Sequence, residues 1–137
     1  MKVLVIGYGS MGRRRIRLFS QIDSSAQFIC VDSNPERLKQ IIIDGYMGYS
    51  ELNKALLEKP EIAFVCSSPL SHAEVIPVLL ENNIDTFTEI NLSSRKYDEM
   101  IRISKENDVN LFLSSTMLYK KQIQKIDRKS TRLNSSH

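Results

Sequence analysis

The sequence predicts an α/β fold, a doubly wound parallel sheet covered by helices on both of its faces. Short apolar runs alternate with amphipathic segments along the chain, which is typical of consecutive βαβ units. Several of these runs are apolar at every position rather than at alternate positions, as strands buried on both faces are. Because crossovers between parallel strands are right-handed, the helices are expected in two outer layers, giving a three-layer α/β/α arrangement.

The first half of the chain predicts three strands and three helices. Residues 3–6 form a continuous apolar run, and the helix expected over residues 10–22 places Gly12, Ile16 and Phe19 on one face. The patterns that follow predict a strand over 28–31, a helix from Pro35 to about 43, a short strand over 46–48 and a short helix over 52–57.

The second half continues the alternation. Ser71 and Glu74 fit a capping box that opens a helix running to about residue 82. Pro77 lies inside this helix, and a kink or local loosening is expected there. The other predicted elements are strands over 62–66, 84–87 and 109–113, a helix over 93–107 and the start of a further helix over 119–126.

Composition narrows the class of protein. The chain has 137 residues, 42% of them hydrophobic and 26% charged, which predicts one ordinary globular domain. A formal net charge of +3 without a basic block argues against nucleic-acid binding. Cys30 and Cys66 both lie in apolar runs, so they are expected to be reduced, buried thiols, and the cysteines and histidines lack the spacing of metal ligands. Without a membrane-spanning stretch or a secretory signal, a cytoplasmic protein is expected.

The last eleven residues differ from the rest. Residues 127–137 have no apolar periodicity and resemble the in-frame translation of a common sequencing adapter. A disordered natural terminus is the alternative. We expect a non-native, disordered tail at 127–137 after a domain over residues 1–126, and a natural protein that continues beyond residue 126.

A glycine-rich loop is the main functional motif. Gly7, Gly9 and Gly12 form the pattern G-x-G-x-x-G directly after a predicted strand and at the start of a predicted helix. The first glycine permits a tight turn, the second a close approach to a pyrophosphate, and the third close helix–strand packing. The alternative is a tight turn that holds no ligand. We assign the whole loop to cofactor binding, including the intervening residues Tyr8, Ser10 and Met11.

An acidic residue follows at the spacing expected for a ribose ligand. Asp32 ends the second predicted strand, 20 residues after Gly12, where a carboxylate accepts hydrogen bonds from the ribose hydroxyls of a dinucleotide. A carboxylate there repels a 2′-phosphate, so NAD is favoured over NADP; the alternative for Asp32 is a loop or helix cap. Arg37 either lies near this ribose or, as helical spacing favours, faces solvent. At least two of the three arginines at 13–15 are expected on a solvated helix face.

Several stretches together resemble the glucose–fructose oxidoreductase, inositol dehydrogenase and rhizopine catabolism (Gfo/Idh/MocA) family, over residues 2–126. They are Val-Ile-Gly-Tyr-Gly-Ser-Met-Gly-Arg-Arg at 5–14, Val-Asp-Ser-Asn-Pro-Glu at 31–36, Val-Cys-Ser-Ser-Pro-Leu-Ser-His at 65–72 and Thr-Phe-Thr-Glu-Ile-Asn-Leu at 86–92. The resemblance implies a Rossmann-type domain of an NAD(P)-dependent oxidoreductase that acts on a sugar, polyol or related compound. It also implies a C-terminal substrate-binding domain, which is missing here.

The resemblance also implies further cofactor-binding residues. Ser67, Ser68 and Pro69 match the loop along the cofactor, and Glu89 matches the glutamate of the family's Glu-Lys-Pro motif near the nicotinamide ribose. His72 matches a family histidine at the start of the next helix, where capping and packing are favoured over catalysis.

The chain departs from the family pattern at the catalytic lysine. Ile90 and Asn91 stand where the family has lysine and proline, and isoleucine can neither donate nor accept a proton. Tyr119 is a candidate substrate-facing group, although packing is the favoured role. The catalytic residues are therefore unknown, and we expect the fragment itself to be inactive. An NAD-dependent oxidoreductase that is a homo-oligomer at full length is the favoured interpretation; a nucleotide-binding regulatory protein without catalysis is the alternative.

Overall fold

The computed structural model describes residues 1–67, 69–88 and 94–113. Within these ranges the chain forms six strands and five helices, in alternating order. They are β1 (Lys2–Ile6), α1 (Ser10–Ile22), β2 (Gln27–Val31), α2 (Pro35–Ile43), β3 (Met47–Tyr49), α3 (Leu52–Leu56), β4 (Ile62–Val65), α4 (Pro69–Glu81), β5 (Asp85–Thr88), α5 (Ser94–Glu106) and β6 (Leu111–Leu113).

The strands form one sheet in the order β3-β2-β1-β4-β5-β6, and every neighbouring pair is parallel. Strand β1 lies at the centre, with Val5 beside Cys30 of β2 and beside Phe64 of β4. The strand order reverses between β1 and β4, and ligands of open α/β sheets bind at the carboxyl ends of the strands at such a point. The predicted doubly wound parallel sheet is confirmed.

Most predicted boundaries agree with the structure within one or two residues, and α1 covers the predicted residues 10–22. The predicted start of α4 is wrong. This helix begins at Pro69 rather than after Ser71, because the fixed φ of proline suits the first turn of a helix. It continues through Pro77 to Glu81. The helix predicted over 119–126 and the tail at 127–137 lie outside the described residues.

Apolar side chains fill both faces of the sheet. On one face, Phe19 of α1 packs edge-on against Phe28 and Phe64, with ring centroids 6.1 and 6.0 Å apart. On the other face, buried residues of α4, including Leu79 and Leu80, join the cluster formed by β1, β2 and β4. Burying each such side chain contributes about 1.5–3 kcal/mol. The two clusters hold the carboxyl ends of the central strands in place. No helix in the described part of the chain is both long and apolar enough to span a bilayer.

The two cysteines differ in environment. Cys30 is fully buried in β2, and burial raises the pKa of its thiol to about 12, whereas Cys66 is half-buried after β4. Because the thiolate is the reactive form, we expect iodoacetamide at mildly alkaline pH to leave Cys30 unmodified in the folded protein. Mass spectrometry of native and guanidinium-unfolded samples measures this. Equal rates of Cys30 modification in the two samples would contradict the prediction.

Candidate functional site

A cleft of about 560 Å³ lies at the carboxyl ends of β1, β2 and β4. This is where the strand order reverses, the usual ligand position in such sheets. The described residues that line it come from the glycine loop, from the ends of the strands and from the neighbouring helices. They are Ile6, Gly7, Gly9, Ser10, Met11, Val31, Asp32, Ser33, Arg37, Ser50, Leu52, Cys66, Ser67 and Val75.

The position of Gly7 accepts only glycine. Its φ is +95°, which side-chain-bearing residues rarely adopt, and an added Cβ would lie 2.8 Å from the backbone nitrogen of Ser67. Its own N–H donates to the carbonyl oxygen of Val31 at 2.8 Å. These contacts fix the turn after β1 against the ends of both neighbouring strands.

The other two glycines of the motif have opposite surroundings. A Cβ on Gly12 would lie 2.0 Å from the carbonyl oxygen of Gly7, so α1 can approach the loop only with glycine here. A Cβ on Gly9 would meet nothing closer than the guanidinium of Arg37, at 3.7 Å. The protein itself therefore does not require glycine at position 9, and a Cβ there would instead occupy space at the cleft.

The first turn of α1 offers backbone donors to this space. Gly9 is the N-cap residue and provides no side-chain acceptor, and the first turn contains no acidic side chain. The initial N–H groups of a helix have no partner within the helix, and the helix dipole favours an anion beside them. Ser10 and Met11, the first two residues of α1, line the cleft. This end of α1 fits a pyrophosphate.

Asp32 presents a held carboxylate at the end of β2. Asp32 is 8% exposed. Its Oδ2 accepts from the N–H of Tyr8 at 2.8 Å, and its Oδ1 accepts from the N–H of Asn34 at 2.9 Å. Each carboxylate oxygen can accept more than one hydrogen bond. The group is therefore fixed in orientation and can still accept from ligand hydroxyls, so the donor and acceptor set suits a dinucleotide.

Arg37 lines the cleft beside Asp32. Its Nη1 is 3.7 Å from Oδ2 of Asp32, and its side chain is 55% exposed. Helical spacing favoured a solvent-facing side chain, which is only half correct, because the guanidinium is both in solvent and beside the carboxylate. Among the described residues that line the cleft, Arg37 is the only cation.

A family comparison agrees with this geometry. The family model for Gfo/Idh/MocA proteins, described as an oxidoreductase family with an NAD-binding Rossmann fold, matches residues 1–115. The chain belongs to the Gfo/Idh/MocA oxidoreductase family. The match covers this family's NAD-binding domain, so the cofactor of the domain is NAD. A search of curated proteins finds no match.

Solved structures of similar fold include three dehydrogenases. WlbA from Chromobacterium violaceum, in complex with NADH and UDP-GlcNAcA, has a TM-score of 0.75 at 18% identity over 83% of this chain and 34% of its own. UDP-N-acetylglucosamine 3-dehydrogenase GnnA from Acidithiobacillus ferrooxidans has a TM-score of 0.73 at 19% identity, and the match covers 83% of this chain and 38% of the GnnA chain. A probable dehydrogenase from Thermotoga maritima has a TM-score of 0.73 at 23% identity, and the match covers 83% of this chain and 36% of the dehydrogenase chain. These likenesses show the fold, and the chain spans just over a third of each structure's length.

The residues implied by the Gfo/Idh/MocA resemblance are only partly within the described structure. Ser67 lines the cleft, and Pro69 and His72 belong to the first turns of α4. The predicted contacts of Ser68, Glu89, Ile90, Asn91 and Tyr119 lie outside the described residues. No group of three or more His, Cys, Asp or Glu residues that could hold a metal is found in the part of the chain that the structure describes.

Sequence reasoning missed several residues that line the cleft. Ser50 directly follows β3, and its position at the carboxyl end of a parallel strand could have predicted it. Cys66 had the same signal, after β4. Val75 had none, because an apolar residue in a helix is usually assigned to the core. Of the three arginines after the motif, Arg13 and Arg14 are exposed as expected, whereas Arg15 is only 1% exposed.

Proposed function

We propose that this chain is the cofactor-binding part of an NAD-dependent oxidoreductase and that NAD occupies the cleft at the carboxyl ends of β1, β2 and β4. One observation carries the proposal. The open position beside Gly9 and the held carboxylate of Asp32 line the same cleft, one fitting a pyrophosphate and the other a ribose. We extend this domain to residue 126 and exclude 127–137 from it.

Each part of the cleft then has a defined task. The N–H groups at the start of α1 bind the pyrophosphate, and Asp32 accepts from the adenosine ribose hydroxyls and disfavours a 2′-phosphate. Ser67 provides a further polar group where the chain leaves β4. When bound, the nicotinamide supplies hydride transfer, and the protein supplies orientation and proton handling. We propose that Ser68, Pro69, His72 and Glu89 complete the cofactor contacts.

The substrate is proposed from the relatives. WlbA was solved with UDP-GlcNAcA, and GnnA is a UDP-N-acetylglucosamine 3-dehydrogenase. These names support a sugar, polyol or related compound, including a nucleotide-linked sugar, as the substrate class. We propose that the full-length protein is a homo-oligomer that acts on such a compound.

One residue supports a second candidate function. Ile90 stands where the Gfo/Idh/MocA pattern has its lysine, and an alkyl side chain cannot move a proton. The alternative is a nucleotide-binding regulatory protein that does not turn over its cofactor. Assaying the full-length gene product with NAD against a panel of sugars and nucleotide-linked sugars distinguishes the two, because only the oxidoreductase forms NADH.

Binding of the cofactor by this chain tests the first proposal directly. We expect fluorescence titration to show saturable NADH binding, and NADPH to bind at least about tenfold more weakly because its 2′-phosphate meets Asp32. A guanidinium-unfolded sample is the control for nonspecific signal. Absence of binding of either nucleotide at millimolar concentration would refute the proposal.

A further inference from the structure

Tyr8 lies inside the glycine loop, but its side chain points away from the cleft. The residue is 3% exposed, and its ring packs edge-on against Tyr46, with centroids 6.3 Å apart. Tyr46 in turn packs edge-on against Phe28 of β2 at 5.7 Å. The side chain therefore belongs to the core between the loop and the segment that joins α2 to β3, and Tyr8 is not among the residues that line the cleft.

Two carboxylates hold Tyr8, one at its backbone and one at its side chain. Its N–H donates to Oδ2 of Asp32 at 2.8 Å, and its hydroxyl donates to Oδ2 of Asp44. Asp44 is the C-cap residue of α2 and also accepts from Nε2 of Gln40 at 2.8 Å. Tyr8 thus connects the ribose-binding carboxylate to the far end of α2.

The hydrogen bond to Asp44 is charge-assisted at neutral pH. The bond from Tyr8 lowers the pKa of the Asp44 carboxyl, which is therefore ionised. Burial, followed by the bond to Asp44, raises the pKa of the Tyr8 phenol, which therefore keeps its proton. Hydrogen bonds between a neutral donor and an ionised acceptor are roughly twice as strong as neutral ones.

The N-terminal end of α2 also contacts Asp32. Asn34 is the N-cap residue of α2, and its N–H donates to Oδ1 of Asp32 at 2.9 Å. Helix α2 is therefore joined to Asp32 directly at its N-terminal end and through Tyr8 at its C-terminal end. A rigid helix held at both ends fixes the position of the loop relative to the carboxylate.

We propose that Tyr8 is a positioning residue for the cofactor: its phenol ties the glycine loop to the C-terminal end of α2 and thereby holds Asp32 in place for the ribose. The proposal rests on the proposed NAD site. It separates the hydroxyl, which positions the loop, from the ring, which packs in the core. Tyr8→Phe removes the first and keeps the second.

The test compares two tyrosines that donate to carboxylates. Tyr49 donates to Oε1 of Glu58 at 2.6 Å, so Tyr49→Phe is a matched control in the same domain. In the absence of nucleotide, we expect Tyr8→Phe to speed hydrogen exchange of the hydrogen-bonded backbone amides of residues 7 and 8 by about fivefold or more, and to raise the Kd for NADH by about three- to tenfold. The control should change neither quantity, and circular dichroism should show both variants folded.

Variants of the acceptor provide a second comparison. Asp44→Ala removes the acceptor and should reproduce both effects of Tyr8→Phe, whereas Asp44→Asn retains a carbonyl oxygen and should recover most of the wild-type exchange and affinity. The double variant of Tyr8→Phe and Asp44→Ala should be no worse than either single change, because both remove the same bond.

Each outcome decides the proposal. Wild-type exchange of the amides of residues 7 and 8 in Tyr8→Phe would overturn it, and so would faster exchange with an unchanged Kd for NADH. Equal effects of Tyr8→Phe and Tyr49→Phe would show a general loss of stability instead of positioning, and would also overturn it. If the wild-type chain binds no NADH, the proposed function fails, and the positioning of a cofactor fails with it. The exchange data still show whether the hydrogen bond between Tyr8 and Asp44 restrains the glycine loop.

Discussion

Gly12→Ala is expected to lower the free energy of unfolding by about 3 kcal/mol, and the melting temperature by about 10 °C. The new Cβ would lie 2.0 Å from the carbonyl oxygen of Gly7. That oxygen is part of a backbone held by a hydrogen bond of 2.8 Å to Val31 and by close contact with the end of β4. Because no flexible side chain can move aside, α1 must shift as a whole. Thermal unfolding followed by circular dichroism measures the loss.

Gly9→Ala is the matched control within the same motif. Its Cβ would have only an ordinary contact of 3.7 Å with the guanidinium of Arg37, so the melting temperature should stay close to that of the wild type. The same methyl group would occupy the space assigned to the pyrophosphate, so NADH binding should weaken. A melting temperature for Gly12→Ala equal to that of Gly9→Ala would show that the close contact of α1 with the loop is not required.

Asp32→Ala is expected to raise the Kd for NADH by about 30-fold, because hydrogen bonds to a charged group contribute about 1.5–3 kcal/mol each. The variant also leaves the N–H groups of Tyr8 and Asn34 without their acceptor, so its folded fraction must be measured beside the affinity. Removing the carboxylate also removes the repulsion of a 2′-phosphate, and it frees the guanidinium of Arg37 from its partner at 3.7 Å. The ratio of NADPH to NADH affinity should therefore rise.

Asp23→Ala controls for the loss of a carboxylate. Asp23 follows α1, and its carboxylate accepts from the N–H of Ser25 at 3.0 Å and from the hydroxyl of Ser25 at 2.6 Å; the residue does not line the cleft. Its replacement should leave both nucleotide affinities unchanged. Adding Arg37→Ala to Asp32→Ala should reverse the gain in NADPH affinity. An NADH affinity of Asp32→Ala equal to that of the wild type would refute the ribose assignment.

The sequence could predict the sheet because each strand carries its own signal. The buried run over residues 3–6 and the helix opened by the glycine motif follow from local patterns, and parallel pairing follows from their alternation. The start of α4 was missed for a local reason, since the capping pattern at Ser71 and Glu74 competes with a proline two residues earlier. Two valid start signals for one helix cannot be ranked from sequence alone.

The parts of the site that sequence could not predict depend on contacts between distant residues. The hydroxyl of Tyr8 reaches Asp44, 36 positions away along the chain, and no periodicity or motif indicates such a pair. For Arg37, helical spacing favoured solvent over a position near the ribose, because spacing describes only its own helix and not the attraction of Asp32. The Gly-x-Gly-x-x-Gly pattern, in contrast, encodes its close backbone contacts in the residues themselves.

The contact between Gly7 and Gly12 also affects the association kinetics of the nucleotide. The turn and the helix that follows it are already in fixed contact before the nucleotide binds. The loop therefore loses little conformational entropy on association, and the binding free energy is not reduced by ordering it. Association should then be a single step, with an observed rate that rises linearly with NADH concentration and does not level off. In stopped-flow experiments the differences in affinity between the loop variants should accordingly reside mainly in the dissociation rate.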